Sequence, residues 1–199
     1  TDDTLLPHRQ SARSGFSPQL SYGRHFGNPR PKSKAAAVIA MLQPSQETGQ
    51  LIIPLTVRPM HLPDHPGQVS LPGGRLEGDE SYSAAAEREY CEELGIAEFP
   101  GKITGELLPL YVYNSDYFVR AFVGICDQPQ AYRPCDYEVD SVVELPVGHL
   151  LHTEPEHSEF SRGRVNWLAP SISYQSTTIW GATAIILGEL QYLLSIAST

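Results

Sequence analysis

The sequence predicts a layered α/β (α+β) domain in which strands flank one internal helix and a second helix closes the chain. Three observations carry this. Short runs of β-branched and aromatic residues, bounded by turn residues, occur at 35–59 and again from 103 to 147. Only one internal segment, residues 80–94 with "AAAERE" at its centre, has helix-forming composition. No strand–helix unit recurs, which argues against a repeated dinucleotide-binding architecture.

The elements follow in order. Residues 1–34 are rich in Pro, Gly, Ser and Arg with little periodicity, so they are expected to form an extended, loosely packed N-terminal arm whose basic residues face solvent. The domain proper is assigned to 35–199. "AAAVIAML" (35–42) reads as a buried strand, "QPSQETGQ" (43–50) as a turn and "LIIPLTVRP" (51–59) as the hairpin partner. Pro54 cannot donate to a ladder and points to an edge or a bulge. Residues 60–74 are expected to be a loop with a short extended piece at Val69–Leu71. The helix at 80–94 has Asp79 or Ser81 as its N-terminal cap and Gly95 as its stop. "ITGELLPLYVY" and "DYFVRAFVGIC" read as two strands joined at Asn114–Ser115, and 139–147 as a further strand. A short helix from Val147, a late hairpin within 160–180 and a C-terminal core helix over 177–197 complete the chain. The apolar run 177–197 contains Glu189 and Gln191, and Ile179, Thr183, Ile186, Leu190 and Leu193 recur at helical spacing, which favours a core helix over a membrane span.

Composition narrows the function. With 199 residues, 41% of them hydrophobic and 19% charged, the chain can bury a core without staples. A net charge of -9 argues against nucleic acid or an anionic membrane as partner. A phosphate-bearing substrate would need a cation as intermediary. Cys91, Cys126 and Cys135 form no CxxC pair and no zinc spacing, so free thiols in a reducing compartment are expected, and with them a cytoplasmic location. The polar, acidic start "TDDTLLPHRQ" leads to no expectation of a secretory leader. Oligomeric state is left open, a homodimer included.

The chemistry concentrates in "GGRLEGDESYSAAAEREYCEELGI" (73–96). Glu89, Glu92 and Glu93 stand at i, i+3 and i+4 and project from one helical face, where like charges repel by roughly 0.2–0.5 kcal/mol per pair. A glutamate-rich face is ordinarily just solvated. Here a Gly-Gly turn precedes it, and three converging carboxylates offer the oxygen donors that a hard divalent cation such as Mg²⁺ prefers. Gly73 and Gly74 leave room for a phosphate and expose a carbonyl. Arg88 is placed to orient the carboxylates rather than to touch substrate.

From Gly74, five residues lead to Glu80 and seven more to Arg88–Glu89, followed by Tyr90, Cys91, Glu92–Glu93, Leu94, Gly95 and Ile96. This pattern resembles the Nudix box at all seven fixed positions. At about 7% usage per residue type, a chance match is on the order of one in a million. Tyr90 departs mildly, being aromatic where an aliphatic residue is usual. The resemblance implies an α/β/α sandwich with a mixed β-sheet and Mg²⁺- or Mn²⁺-dependent hydrolysis of a nucleoside diphosphate linked to another moiety. It implies Glu89, Glu92 and Glu93 as metal ligands, with Gly74 beside them and Glu80 supporting Arg88 or a further ion.

"LTVRPMHLPDHPGQVSLPGG" (55–74) resembles the segment before the box in coenzyme A pyrophosphatases of this superfamily, through Leu55, Thr56, Arg58, His65, Gly67, Gln68, Val69, Pro72, Gly73 and Gly74. Pro63 stands where that group has Arg, and Leu71 where it has Phe. "IWGATAIIL" (179–187) resembles a run in the last helix of the same group, although Trp180 is equally explained as core. Arg58 and Gln68, with Gly73 and Gly74, are candidates for substrate binding; an ordinary surface ion pair explains Arg58 as well. "PCDYEVDSV" (134–142) resembles the region where related enzymes place a further glutamate facing the metal; Glu138 there is the candidate general base or an extra metal ligand, Glu93 the other candidate base, and a solvated loop carboxylate the plain alternative for Glu138. Pro109, Tyr111 and Tyr113 fall where other branches carry marker residues and do not discriminate. The readings carried forward are coenzyme A or its thioesters as substrate, ADP-ribose, NADH or another nucleotide as substrate, and a non-catalytic nucleotide-sensing module.

Overall fold

A computed structural model describes residues 3–18, 24, 27–62, 66–162 and 165–197. A single 3-10 turn at Asp3–Leu5 leads into α1 (Leu6–Gly15). The main sheet has eight strands: β1 (Lys34–Pro44), β2 (Leu51–Val57), β3 (Val69–Ser70), β4 (Gly73–Arg75), β5 (Lys102–Glu106), β6 (Leu110–Val112), β7 (Tyr117–Ile125) and β8 (Ser141–Pro146). Its order is β3-β2-β1-β7-β5, with β4 on β1, β6 on β7 and β8 on β2. Only β1 and β7 run parallel, so the sheet is mixed, as predicted. Helix α2 (Tyr82–Leu94) covers one face: Ala85, Ala86, Tyr90 and Leu94 pack against Ala37, Ile39 and Met41 of β1. The second face packs Ala36 and Ala40 against α3 (Val147–His152), α4 (Ala182–Ala197) and Phe16. Strand alternation thus sends successive β1 residues into two separate cores, the arrangement of an α/β/α sandwich. Strands β9 (Glu156–Arg162), β10 (Val165–Tyr174) and β11 (Thr177–Trp180) form a second, antiparallel sheet. Among the described residues, no helix is long and apolar enough to cross a membrane. The three cysteines carry no disulfide.

Several expectations need correction. Residues 3–16 are not a loose arm. Arg13 is buried and reaches Leu108 O at 2.7 Å and Pro109 O at 3.0 Å, while Glu189 of α4 pairs with both Arg9 and Arg13. Phe16 lies so close to Gly188 that a Cβ there would fall 2.2 Å from its ring. Long-range contacts, not helical periodicity, order this segment. The strand expected at 103–113 breaks into β5 and β6 because the same network captures the Leu108 N–H (3.0 Å to Glu189) and the carbonyls of Leu108 and Pro109. Pro54 sits in an interior strand, paired with Glu144 of β8. Its other side falls in the gap between the β1 pairing at 51–52 and the β3 pairing at 56–57, where a proline breaks no ladder bond. The expected loop 60–74 ends in the first residues of β4. The late hairpin is three-stranded. Ile179 and Trp180 belong to β11, not to the last helix, which begins only after Gly181.

Candidate active site

Helix α2 starts two residues later than expected. Ser81 is its N-cap, accepting a hydrogen bond from the Ala84 N–H at 3.2 Å, and Gly95 closes it in the left-handed conformation, φ 64°. Glu80 therefore lies in the turn before the helix, not on it. Its carboxylate accepts from the Glu77 N–H at 2.7 Å and from Arg88 Nη2 at 2.8 Å and Nε at 3.2 Å. These donors hold the Glu80 carboxyl below its usual range, the Arg88 hydrogen bond contributing most.

Arg88 is the hub. Beyond Glu80 it donates through Nη1 to Glu89 Oε1 (3.0 Å) and Glu92 Oε2 (2.8 Å), and through Nη2 to the Arg75 carbonyl (3.0 Å). One guanidinium thus fastens three carboxylates and the strand after the glycine turn. The carboxylates drive its own proton affinity upward, Glu80 most of all. This is the orienting geometry the sequence suggested, with no donor obviously left for substrate.

Glu93 faces the other way. It is 7% exposed, and its Oε2 accepts from the Gly73 N–H at 3.2 Å and the Thr56 hydroxyl at 3.4 Å. Burial, reinforced by the nearby charge of Glu89, pushes its carboxyl up to about 8. The Gly73 hydrogen bond, Arg58 and Thr56 pull against this. Burial likewise raises Glu89, with Glu92 and Glu138 adding to it against the opposing pull of Arg88. The three box glutamates therefore do not splay evenly from one face: Glu89 and Glu92 lean on Arg88, Glu93 on the Gly73 turn, and Glu89 lies within reach of both groups.

The two glycines are required here. A Cβ on Gly74 would fall 2.2 Å from Glu89 Oε1, so the carboxylate rests against bare backbone. Gly73 has φ 153°, and a Cβ there would meet the Ala37 carbonyl at 2.3 Å. Strand β4 can lie this close to α2 and β1 only without side chains.

The remaining candidates fall around this centre. Arg58 is near enough to Glu93 to lower its pKa, and its backbone N–H donates to the Gln68 carbonyl at 3.0 Å. Gln68 Nε2 lies 3.5 Å from where a Cβ on Gly181 would sit, and the Thr183 hydroxyl donates to the Val69 carbonyl at 3.1 Å. The segments 67–69 and 179–183, far apart in sequence, are thus neighbours. Trp180 is half-buried and stacks on Phe160 at 4.3 Å, outside both core clusters. Glu138 is exposed, in a turn where its N–H donates to Cys135 O at 3.0 Å, and its charge reaches Glu89. Pro63 and His65 lie outside the described residues. Tyr90 is fully buried and donates to Gln43 Oε1 at 2.5 Å, which explains an aromatic residue at that position.

Sequence reasoning did not assign Thr56 or Ser70 a role. Their hydroxyls lie 3.2 Å apart and lead to Glu93. The only available signal was that Thr56 falls in the Leu-Thr-x-Arg run.

Among the described residues, no three His, Cys, Asp or Glu side chains are already gathered as a metal-ligand set. The residues nevertheless suit a hard cation. Glu93 is a buried carboxylate that accepts hydrogen bonds from the Gly73 N–H and the Thr56 hydroxyl, a second raised carboxylate stands beside it, and a glycine backbone opens onto both. Divalent metal ions are what Nudix-type carboxylate sites use.

The NUDIX domain family model matches residues 32–168. The "uncharacterized Nudix hydrolase NudL" of Escherichia coli O1:K1 is 35% identical over 162 residues, covering 79% of this chain and 81% of that protein. The NudL of Shigella boydii serotype 18 matches equally. Two solved structures share the fold. The MutT protein from Methanosarcina mazei has TM-score 0.53, 18% identity and coverage of 83% of this chain and 99% of that one. The Nudix hydrolase RenU from M. smegmatis has TM-score 0.53, 13% identity and coverage of 82% and 87%. The chain belongs to the Nudix hydrolase family.

Proposed function

We propose that this hydrolase cleaves the diphosphate of coenzyme A or its thioesters, with Mg²⁺ or Mn²⁺, to 3′,5′-ADP and 4′-phosphopantetheine. The observation that carries the site assignment is the seat of Glu89 and Glu93 against the backbone of Gly74 and Gly73. It brings acidic oxygens and a side-chain-free turn to one point. Glu89, Glu92, Glu93 and the Gly74 carbonyl would hold the metal, which when bound supplies the positive charge that a diphosphate needs in a protein of net charge -9.

The chain's own residues then do the following. Arg88 is a positioning residue: it fixes Glu80, Glu89 and Glu92 and ties them to β4. Arg58, Gln68 and the Gly73–Gly74 backbone bind the substrate's phosphates. Water attacks one phosphorus in line, and the bond to the bridging oxygen breaks, leaving its electrons on the departing phosphate. Two carboxylates are placed to take the water's proton. Glu93, beside the Gly73 turn, is one, and Glu138, whose charge reaches Glu89, is the other.

The coenzyme A assignment rests on residues 55–74 and 179–184. Its structural support is the packing of Gln68 and Val69 against Gly181 and Thr183, which makes one wall of those two segments beside Thr56 and Glu93. The test is to incubate the protein with Mg²⁺ and a panel of diphosphate compounds and identify products by mass. Coenzyme A is expected to give the highest kcat/KM. ADP-ribose or NADH ahead of it severalfold would overturn the substrate. Tight binding without turnover in Mg²⁺ or Mn²⁺ would overturn catalysis. In the same assay Glu92→Gln should retain the fold and lose turnover by about 10³-fold, equivalent to roughly 4 kcal/mol.

A further inference from the structure

We infer that Lys34, Arg75 and Tyr117 form an anion subsite that binds a phosphate monoester of the substrate lying outside the scissile diphosphate. This rests on the reading that the diphosphate binds at the Gly73–Gly74 turn.

The placement follows from strand register. Ala37, Ile39 and Met41 pack under α2, so Lys34, Ala36 and Val38 point to the opposite face. Arg75 is the register partner of Ala36, and Tyr117 of Lys34, so all three side chains gather on that second face. Arg75 is also one residue from Gly74 and two from Gly73, or roughly 7 Å along the strand. Its carbonyl is tied to Arg88. The cluster therefore adjoins the acidic centre without being part of it. A diphosphate held at the carboxylates would not fill it, but another group on the same nucleotide could reach it.

The chemistry is that of an anion site. The Lys34 ammonium lies 5.2 Å and the Arg75 guanidinium 5.3 Å from the centre of one ring, that of Tyr117. Arg75 Nε also donates to the Tyr117 hydroxyl, leaving that hydroxyl's own proton to donate outward. Among the described residues, neither Lys34 nor Arg75 has a carboxylate partner. In a chain with 23 acidic and 14 basic residues, two cations gathered on one ring without a carboxylate are out of character. Attraction to the ring offsets part of their repulsion; an anion bound between them removes the rest. A phosphate monoester offers three oxygens to a fork donor, an ammonium and a hydroxyl.

The test uses substrate pairs that differ by one outer phosphate: coenzyme A with 3′-dephospho-coenzyme A, and 2′-phospho-ADP-ribose with ADP-ribose, each with Mg²⁺. Metal-free binding of 3′,5′-ADP against 5′-AMP is measured alongside. The parent protein should favour the phosphorylated member of a pair by about tenfold or more, mainly through KM. Lys34→Gln and Arg75→Gln, both at exposed positions, and Tyr117→Phe should each shrink that preference while leaving the rate on the dephosphorylated member within about twofold. Discrimination in the 2′-phospho pair but not in the coenzyme A pair would sustain the subsite and overturn coenzyme A as substrate. No discrimination in any pair, or discrimination that survives all three substitutions, would overturn the subsite itself.

Discussion

The two arginine–glutamate clusters of this molecule are near inversions of each other. On the α2 side, one arginine, Arg88, serves three carboxylates, and a fourth, Glu93, stands close by. On the α4 side, one carboxylate, Glu189, serves two arginines and the Leu108 N–H. The Glu189 cluster is closed. Glu189 is 0% and Arg13 1% exposed; Pro109 and Leu108 carbonyls each accept one Arg13 guanidinium proton, and Arg13 Nε pairs with Glu189 at 2.9 Å without hydrogen-bond geometry. Burial lowers the Arg13 pKa, yet the carboxylate opposite keeps the pair intact. The Arg88 cluster is left in deficit: four carboxylates gather around Arg88, and burial raises Glu89 and Glu93 despite the opposing pull of Arg88 on the first and Arg58 on the second. The first cluster encloses its charges among fixed partners, one cation in excess, whereas the second leaves carboxylates in excess at a partly open helix face, which is where a cation would bind.

Exchanging the roles of the two clusters should break the contrast most visibly. Glu189→Gln leaves two largely buried arginines facing a neutral group, and such uncompensated charge typically costs 3–5 kcal/mol. Urea or thermal unfolding should show a loss of about that size, while turnover per folded molecule stays within about twofold of the parent. Glu92→Gln should do the reverse. A Glu189 variant that folds normally but loses turnover would make α1 and α4 part of the catalytic machinery and end the distinction.

A second effect should appear in the pH dependence of the metal-free protein. The Glu93 carboxyl is raised in the folded state to about 8, so the folded chain holds a proton that the unfolded chain releases. Between the unfolded value near 4.3 and about 8, folding therefore becomes less favourable as pH rises. Stability should be greatest at the acid end of that window and decline through it. Glu93→Gln should flatten the curve, and Mg²⁺ should reverse the decline by replacing the proton with a cation. A decline that Glu93→Gln leaves untouched would place the unbalanced charge elsewhere.

The same contrast governs what could be read from the sequence. The Arg88 cluster is assembled within residues 73–93, so turn glycines, helical spacing and the cap signalled it locally. The contact of Arg88 with the neighbouring carboxylates was legible, and the helix bounds were legible to within two residues. The Glu189 cluster joins residues about 180 apart, and no local pattern announces it. Its absence from the sequence reading produced two linked errors: α1 was read as a loose arm, and the bend at Leu107–Pro109 was read as continuous strand. Strand β4 was missed for a related reason. Gly-Gly-Arg has no strand propensity and is extended only because β1 pairs with it. The shell of Glu93 was half legible: Gly73 directly precedes the box, whereas Thr56 and Ser70 arrive through the pairing of β2 with β3.

The smallest expected effect probes whether the Arg88 fan depends on the helix end that carries it. Ser81 caps α2 through one hydrogen bond, Ala84 N–H to Ser81 Oγ at 3.2 Å, at an exposed terminus. Ser81→Ala removes that acceptor, but water can replace it, so the loss should be about 1 kcal/mol. The fan itself is fastened elsewhere: Arg88 bonds to Glu80, Glu89, Glu92 and the Arg75 carbonyl, and the helix packs through Ala85, Tyr90 and Leu94 one turn and more beyond the cap. A slightly lower unfolding midpoint with unchanged kcat is therefore expected. A parallel fall in kcat would mean that the frayed first turn drags Glu80 and with it Arg88. The carboxylates would then owe their geometry to the helix terminus rather than to the arginine.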